Sequence, residues 1–202
     1  MFELPKIQTM TKSRLEAFSD GVLAIIITIM VLELKIPHDT SFAAIGNKLP
    51  VFASYLMSFI FVGIYWGNHH HLLHTVHRVN SKIIWANMGL LFFLSLIPFT
   101  TGWMGENHFH KNAVALYSIN LLFCAIAFTI LQAVIFSHYQ HSSKLIEAFK
   151  KQEKKGKISL TLYCLSVISS FFYPLISGIF ILITAVIWLI PDRRIEAALE
   201  AE

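Results

Sequence analysis

The chain has 202 residues, of which 55% are hydrophobic and 14% charged, and its mean hydropathy is +0.62. Soluble domains carry about 25% charged residues, so there is too little charge here to cover a water-facing surface. A formal net charge of +4 would suit nucleic acid, but the basic residues flank apolar runs of bilayer length, which excludes that partner. The expectation is an all-α polytopic protein of the cell membrane: one domain over residues 1–202, six transmembrane helices per subunit, both termini cytoplasmic.

The N-terminus is polar through Ser13, and the apolar run after it lacks a small-residue cleavage site, so it reads as a mature span and not a signal peptide. That first span is predicted over Leu15–Ile36, stopped by Pro37. The second is predicted over Leu49–Gly67. The third runs over Ile83–Trp103 with Pro98 as an internal kink, and the fourth over Ala113–Phe136. The stretch Ile158–Ile190 is too long for one straight span, and Tyr173-Pro174 divides it into a fifth and a sixth. Of the 16 Lys and Arg residues, only Lys35, Lys48 and Lys111 then fall outside, whereas one undivided last span would put Arg193 and Arg194 outside, against the positive-inside rule. The basic run Lys144–Lys157 reads as a solvated extension of the fourth span that fixes topology. The alternative is a dock for anionic lipid, at about 1 kcal/mol per basic residue near the surface.

The first span opens on Arg14, Phe18, Ser19 and Asp20 and continues as an aliphatic helix. Ionisable groups at a membrane boundary are costly unless paired, so Arg14 and Asp20 are expected to find partners within the bundle. At 100° per residue Asp20 lies about 140° around the helix from Ile25. Ile25, Ile29 and Leu32 form one stripe at steps of four and three, with Thr28 about 60° to its side. Periodicity alone makes that stripe a lipid-facing or packing surface.

Half of the 10 histidines crowd the end of the second span: His69, His70, His71, His74 and His77. His70 and His74 share a helix face, a spacing that suits a transition metal. Paired histidines also occur in di-iron membrane oxidases, but those need every box on one membrane face, and His108 and His110 lie opposite His138 and His141. The favoured reading is that one or two of these histidines, with Trp66 and Asn68, hold Arg14, Ser19 and Asp20 in a hydrogen-bonded knot; solvated interface residues and pH sensing stay open. Tyr55, Ser54, Ser58, Asn87, Asn120 and Gln132 are polar positions within spans that can bridge helices. Trp85, Trp103, Trp188, Tyr117 and Tyr139 read as interfacial anchors. Cys124 and Cys164 lie in apolar runs without a metal or disulfide spacing and read as packing residues. No catalytic constellation is present, and Ser19-Asp20 lacks a Gly-x-Ser-x-Gly context, so no enzyme, cofactor or metal is expected.

The pattern Arg14-x-x-x-Phe18-Ser19-Asp20, opening an aliphatic helix with Thr28 eight positions after the acid, resembles the signature of the potassium channels of the transmembrane protein 175 family. Trp66-x-x-His69-His70 resembles that family's second-helix pattern. The resemblance implies a homotetramer in the bilayer, its pore lined by the first helix of each subunit and its permeant ion K+. It also implies that Ile25 forms the narrowest constriction, Ile29 and Leu32 further apolar layers, and Thr28 a hydroxyl layer bearing on potassium over sodium preference. Four Ile25 side chains around an axis make an apolar ring that gates by dewetting. The sequence has no Thr-Val-Gly-Tyr-Gly loop, which excludes a carbonyl-lined filter and makes selectivity modest. The competing expectation is a secondary transporter, histidine-dependent for a metal or coupled to protons. It needs an ionisable group near the midplane, whereas Asp20, Glu33 and Glu106 sit at boundaries.

Overall fold

The computed structural model describes residues 10–137 and 143–189, the side chains of 143–149 excepted. Lys6, His138, Tyr139, His141, Arg193 and Arg194 lie outside the described residues, as does the Lys144 side chain. Every regular element among the described residues is helical: α1 Lys12–Leu32, α2 Phe42–Gly46, α3 Leu49–His74, α4 Ser81–Ser95, α5 Ile97–Glu106, α6 Lys111–Phe136, α7 Ser143–Ser170 and α8 Pro174–Leu189. Among the described residues four stretches are long and apolar enough to cross a membrane: α1, α3, α4 with α5 taken together, and α6. Their 21 to 26 residues span about 30 Å or more at 1.5 Å per residue. The apolar α8 has 16 residues.

Helix ends follow local chemistry. The Thr11 hydroxyl caps α1 by accepting from the Arg14 amide at 3.4 Å. α1 stops at Leu32, four residues before the expected Ile36. Pro37 would press on the Glu33 carbonyl and biases Ile36 out of the helical region, so the helix yields early. α3 runs to His74, seven residues past the expected Gly67, because its polar end finds partners on neighbouring helices. The third span breaks at Leu96, where Pro98 cannot donate to the Leu94 carbonyl. The Thr100 hydroxyl lies 3.2 Å from both the Leu96 and Ile97 carbonyls and adds a side-chain bond to the first turn of α5. The basic run is a correction: it is not an extension of the fourth span, since α6 ends at Phe136 and Lys150–Lys157 lie on α7 itself.

α6 is the core helix. Tyr117, Leu121, Cys124, Leu131 and Ile135 on it are fully buried, enclosed by α4, α5, α7 and α8. Hydroxyls sew this interior together: Tyr117 and Ser58 meet at 2.9 Å and Thr101 donates to Ser58 at 2.6 Å, which links α3, α5 and α6. Ser118, Ser166 and Ser177 close a triangle of 2.8–3.1 Å between α6, α7 and α8. Such pairs satisfy polar groups that lipid cannot. Tyr117 is therefore a core residue and not an interfacial anchor, whereas Trp85 is 75% exposed as an anchor requires. α3 and α5 cross at Gly105, where an added Cβ would meet Ser54 Oγ and come within 2.7 Å of the Val51 Cα. α1 packs on α3, α4 and α5 and stands at one edge of the bundle.

Candidate pore helix and the polar knot beside it

Leu15, Ser19, Leu23, Ile26 and Met30 form the buried face of α1. The stripe about 110° around the helix from it is bare. Ile25 is 59% exposed, Ile29 41% and Leu32 73%, and Thr28 is exposed beside them. The Thr28 hydroxyl donates to the Ala24 carbonyl at 2.8 Å. That bond fixes its rotamer and leaves the oxygen lone pairs outward, available to a cation.

The knot forms at the opposite end of the helix, with a membership that differs from the expected one. Buried Ser19 donates to the Leu15 carbonyl at 2.8 Å and accepts from Asn87 Nδ2 at 3.0 Å. Asn87 Oδ1 lies 2.6 Å from His69 Nε2. With the amide oriented this way, Nε2 is the protonated ring nitrogen. One line of donors thus runs from α3 through α4 to α1, and His69, Asn87 and Ser19 are all buried. A second link joins the rim: Trp66 Nε1 donates to Asp20 Oδ1 at 2.9 Å, and His70 stacks on the Trp66 ring with centroids 6.1 Å apart. His70 in turn meets His71 and His74 edge to face. Lys12 Nζ donates to the His74 carbonyl at 2.7 Å, a charged cap on the C-terminus of α3.

Two expected members sit elsewhere. Asn68 donates to the Ile64 carbonyl at 2.8 Å and to the Trp188 carbonyl at 3.1 Å, so it ties α3 to α8 and not to α1. The Arg14 side chain is exposed and has no partner among the described residues, and Phe18 is 49% exposed. Asn87 takes the place given to Asn68; its only signal in the sequence is a single amide inside an apolar span. Among the described residues no group of three or more His, Cys, Asp or Glu side chains is arranged to hold a metal.

At the other end of α1, Lys35 Nζ bonds Glu106 Oε1 at 3.0 Å and clamps the α1 exit to the end of α5. The Glu106 hydrogen bond and charge hold the Lys35 ammonium above its ordinary pKa. Asp39, in the following loop, accepts from the Ser41 hydroxyl and amide, which lowers its carboxyl below the ordinary value.

A family model described as endosomal/lysosomal potassium channel TMEM175 matches residues 14–98, the stretch that carries the bare face of α1 and every helix of the knot. A potassium channel of Chryseobacterium sp. strain P1-3 is 56% identical over 191 residues, 95% of this chain and 99% of that protein. The chain belongs to the TMEM175 family. It is accordingly a multi-pass membrane protein of an ion-channel family and not an enzyme. The crystal structure of a lysosomal potassium-selective channel TMEM175 homolog from Chamaesiphon minutus superposes with a TM-score of 0.77 at 27% identity, covering 88% of this chain and 96% of that one. The chicken endosomal/lysosomal proton channel TMEM175 is 28% identical over 184 residues, 83% of this chain and 36% of that protein.

Proposed function

We propose that this TMEM175 chain is one subunit of a homotetrameric, modestly potassium-selective channel that conducts passively. Four copies of α1 surround the axis, with Ile25 as the narrowest apolar ring, Ile29 and Leu32 as further layers, and Thr28 as the hydroxyl layer. The observation that carries the reading is the bare stripe of α1: the large aliphatic side chains Ile25, Ile29 and Leu32 stand exposed on a helix whose packed face, about 110° around, is buried to 2% or less at Leu23, Ile26 and Met30. An apolar ring of this kind closes a pore by dewetting, and hydroxyl oxygens beside it replace part of the ion's hydration shell. The six spans with cytoplasmic termini complete the subunit, α7 and α8 supplying the last two crossings. The other helices and the knot of Ser19, Asn87, His69, Asp20 and Trp66 hold α1 at its angle, and the exposed Arg14 and Phe18 are presented to the neighbouring subunit.

The test is a flux assay on purified protein in vesicles. A potassium gradient should collapse with no sodium gradient, pH gradient or nucleotide supplied, and sodium should leak more slowly. A flux that requires a proton or metal gradient would instead mark a coupled transporter.

A further inference from the structure

Beside the Lys35–Glu106 clamp lies a crevice of about 440 Å³, a volume within the range of small-molecule sites. Its walls are the α1 exit, α2, the first turn of α3 and the end of α5, and its lining is apolar: Leu34, Ile36, Ile45, Leu49 and Phe52. These walls are tied together within the subunit. Lys35 Nζ holds the α1 exit to Glu106 at 3.0 Å, the Ser41 hydroxyl caps α2 by accepting from the Ala44 amide at 3.3 Å, and α3 meets α5 backbone to backbone at Gly105. The lining itself is bare. Ile36 is 86% exposed and Leu49 62%, apolar surface whose burial under an apolar occupant is favourable. Four charges stand around it: Glu33, Lys35, Lys48 and Glu106. Lys35 and Glu106 are spent on each other, and among the described residues Glu33 and Lys48 form no ion pair. One carboxylate and one ammonium are therefore left over.

We propose that this crevice binds a zwitterionic glycerophospholipid with a primary-ammonium headgroup, of the phosphatidylethanolamine kind, from the leaflet at which α1 ends. α1 stops at Leu32 and α3 starts at Leu49. Both helices are of membrane-spanning length, so the crevice lies where headgroup meets hydrocarbon. One acyl chain enters between Ile36, Ile45 and Leu49, the phosphate accepts from Lys48 Nζ, and the headgroup ammonium donates to the Glu33 carboxylate. Lys48 is half-buried, as suits a lysine whose stem covers apolar surface while its charge stays in the polar layer. Charge complementarity selects the headgroup. Choline has no N–H to donate to Glu33, and an acidic headgroup leaves Glu33 without a counter-charge. The proposal needs only that α1 and α3 cross the bilayer. It does not require the tetrameric pore.

Native mass spectrometry of the full-length protein, delipidated in detergent and then offered phosphatidylethanolamine or phosphatidylcholine, tests it without any ion flux. The wild type should retain phosphatidylethanolamine about fivefold better than phosphatidylcholine, the upper size for one exposed ion pair. Glu33→Gln should bring the two lipids level, and the control Lys82→Gln on α4 should leave the preference unchanged. Ile45→Trp fills the crevice from a position 57% exposed, so the fold is kept and one lipid fewer should be held per subunit. A wild type that holds both lipids equally, a Glu33→Gln protein that keeps the preference, or an Ile45→Trp protein that holds as much lipid as the wild type overturns the proposal. Because the readout is bound mass, a protein that fails to conduct still shows whether the lipid is held, and the pore reading stands or falls separately.

Discussion

Asn87 of α4 donates to Ser19 of α1 at 3.0 Å while its carbonyl oxygen holds His69 of α3 at 2.6 Å. One amide therefore fixes the exposed helix against two others at the level of the Phe18-Ser19-Asp20 motif. Asn87→Leu leaves both partners buried without their bond, and an unsatisfied buried group costs about 1–3 kcal/mol. A thermodynamic cycle with Ser19→Ala should return a coupling of about 0.6 kcal/mol, the usual size for hydrogen bonds between membrane helices. Reversible unfolding in mixed micelles measures it, and additivity of the two variants would contradict the assignment.

Gly105 is where α3 and α5 touch backbone to backbone. Gly105→Ala drives a methyl to 2.7 Å from the Val51 Cα, an overpacking that costs about 1–3 kcal/mol. Gly63 has nothing within 4 Å of an added Cβ, so Gly63→Ala should be neutral or slightly stabilising, by about 0.4–1 kcal/mol. Thermal melts of the two variants should separate accordingly.

Thr28 separates stability from selectivity. Among the described residues its hydroxyl bonds only the Ala24 carbonyl of its own helix, so Thr28→Val should leave the melting temperature close to that of the wild type. If the hydroxyl faces the ion path, the same variant should lower the potassium to sodium permeability ratio severalfold, read from reversal potentials. An unchanged ratio would remove Thr28 from the ion path.

Trp66 joins Asp20 by a hydrogen bond and His70 by stacking. Trp66→Phe keeps an aromatic face for His70 but removes the donor. It should destabilise the protein in the wild-type background and have less effect in an Asp20→Asn background. Equal effects in both backgrounds, measured by the same unfolding assay, would show that the 2.9 Å contact contributes nothing.

The stripe Ile25, Ile29, Leu32 is legible in the sequence because helical periodicity places its residues on one side whatever they face. What such periodicity omits is the identity of the neighbour. Asn68 and Asn87 are both amides inside apolar helices, and only the packing of α8 against α3 sends Asn68 to the Trp188 carbonyl and leaves His69 to Asn87. Hydropathy ends the second span at Gly67 because Asn68 and the histidines look like solvent-facing residues. In the fold Asn68 is met from α8 and His69 from α4, and the helix continues to His74. Charge alone puts the basic run on the wrong helix for a related reason: it marks a boundary without saying on which side of the turn the helix resumes. Pro98, by contrast, acts through covalent geometry alone, and its break is where the sequence places it.

The most direct test of the central claim compares Ile25→Asn with Ile130→Asn under one potassium gradient in vesicles. Ile130 on α6 is exposed to 51% against 59% for Ile25, but lies on the core helix, which the pore reading keeps off the axis. If four copies of α1 line the pore, Ile25→Asn wets the narrowest ring, raises conductance and lowers potassium selectivity, while Ile130→Asn leaves both as in the wild type. Permeation unchanged by Ile25→Asn, or altered equally by the two substitutions, would contradict the account.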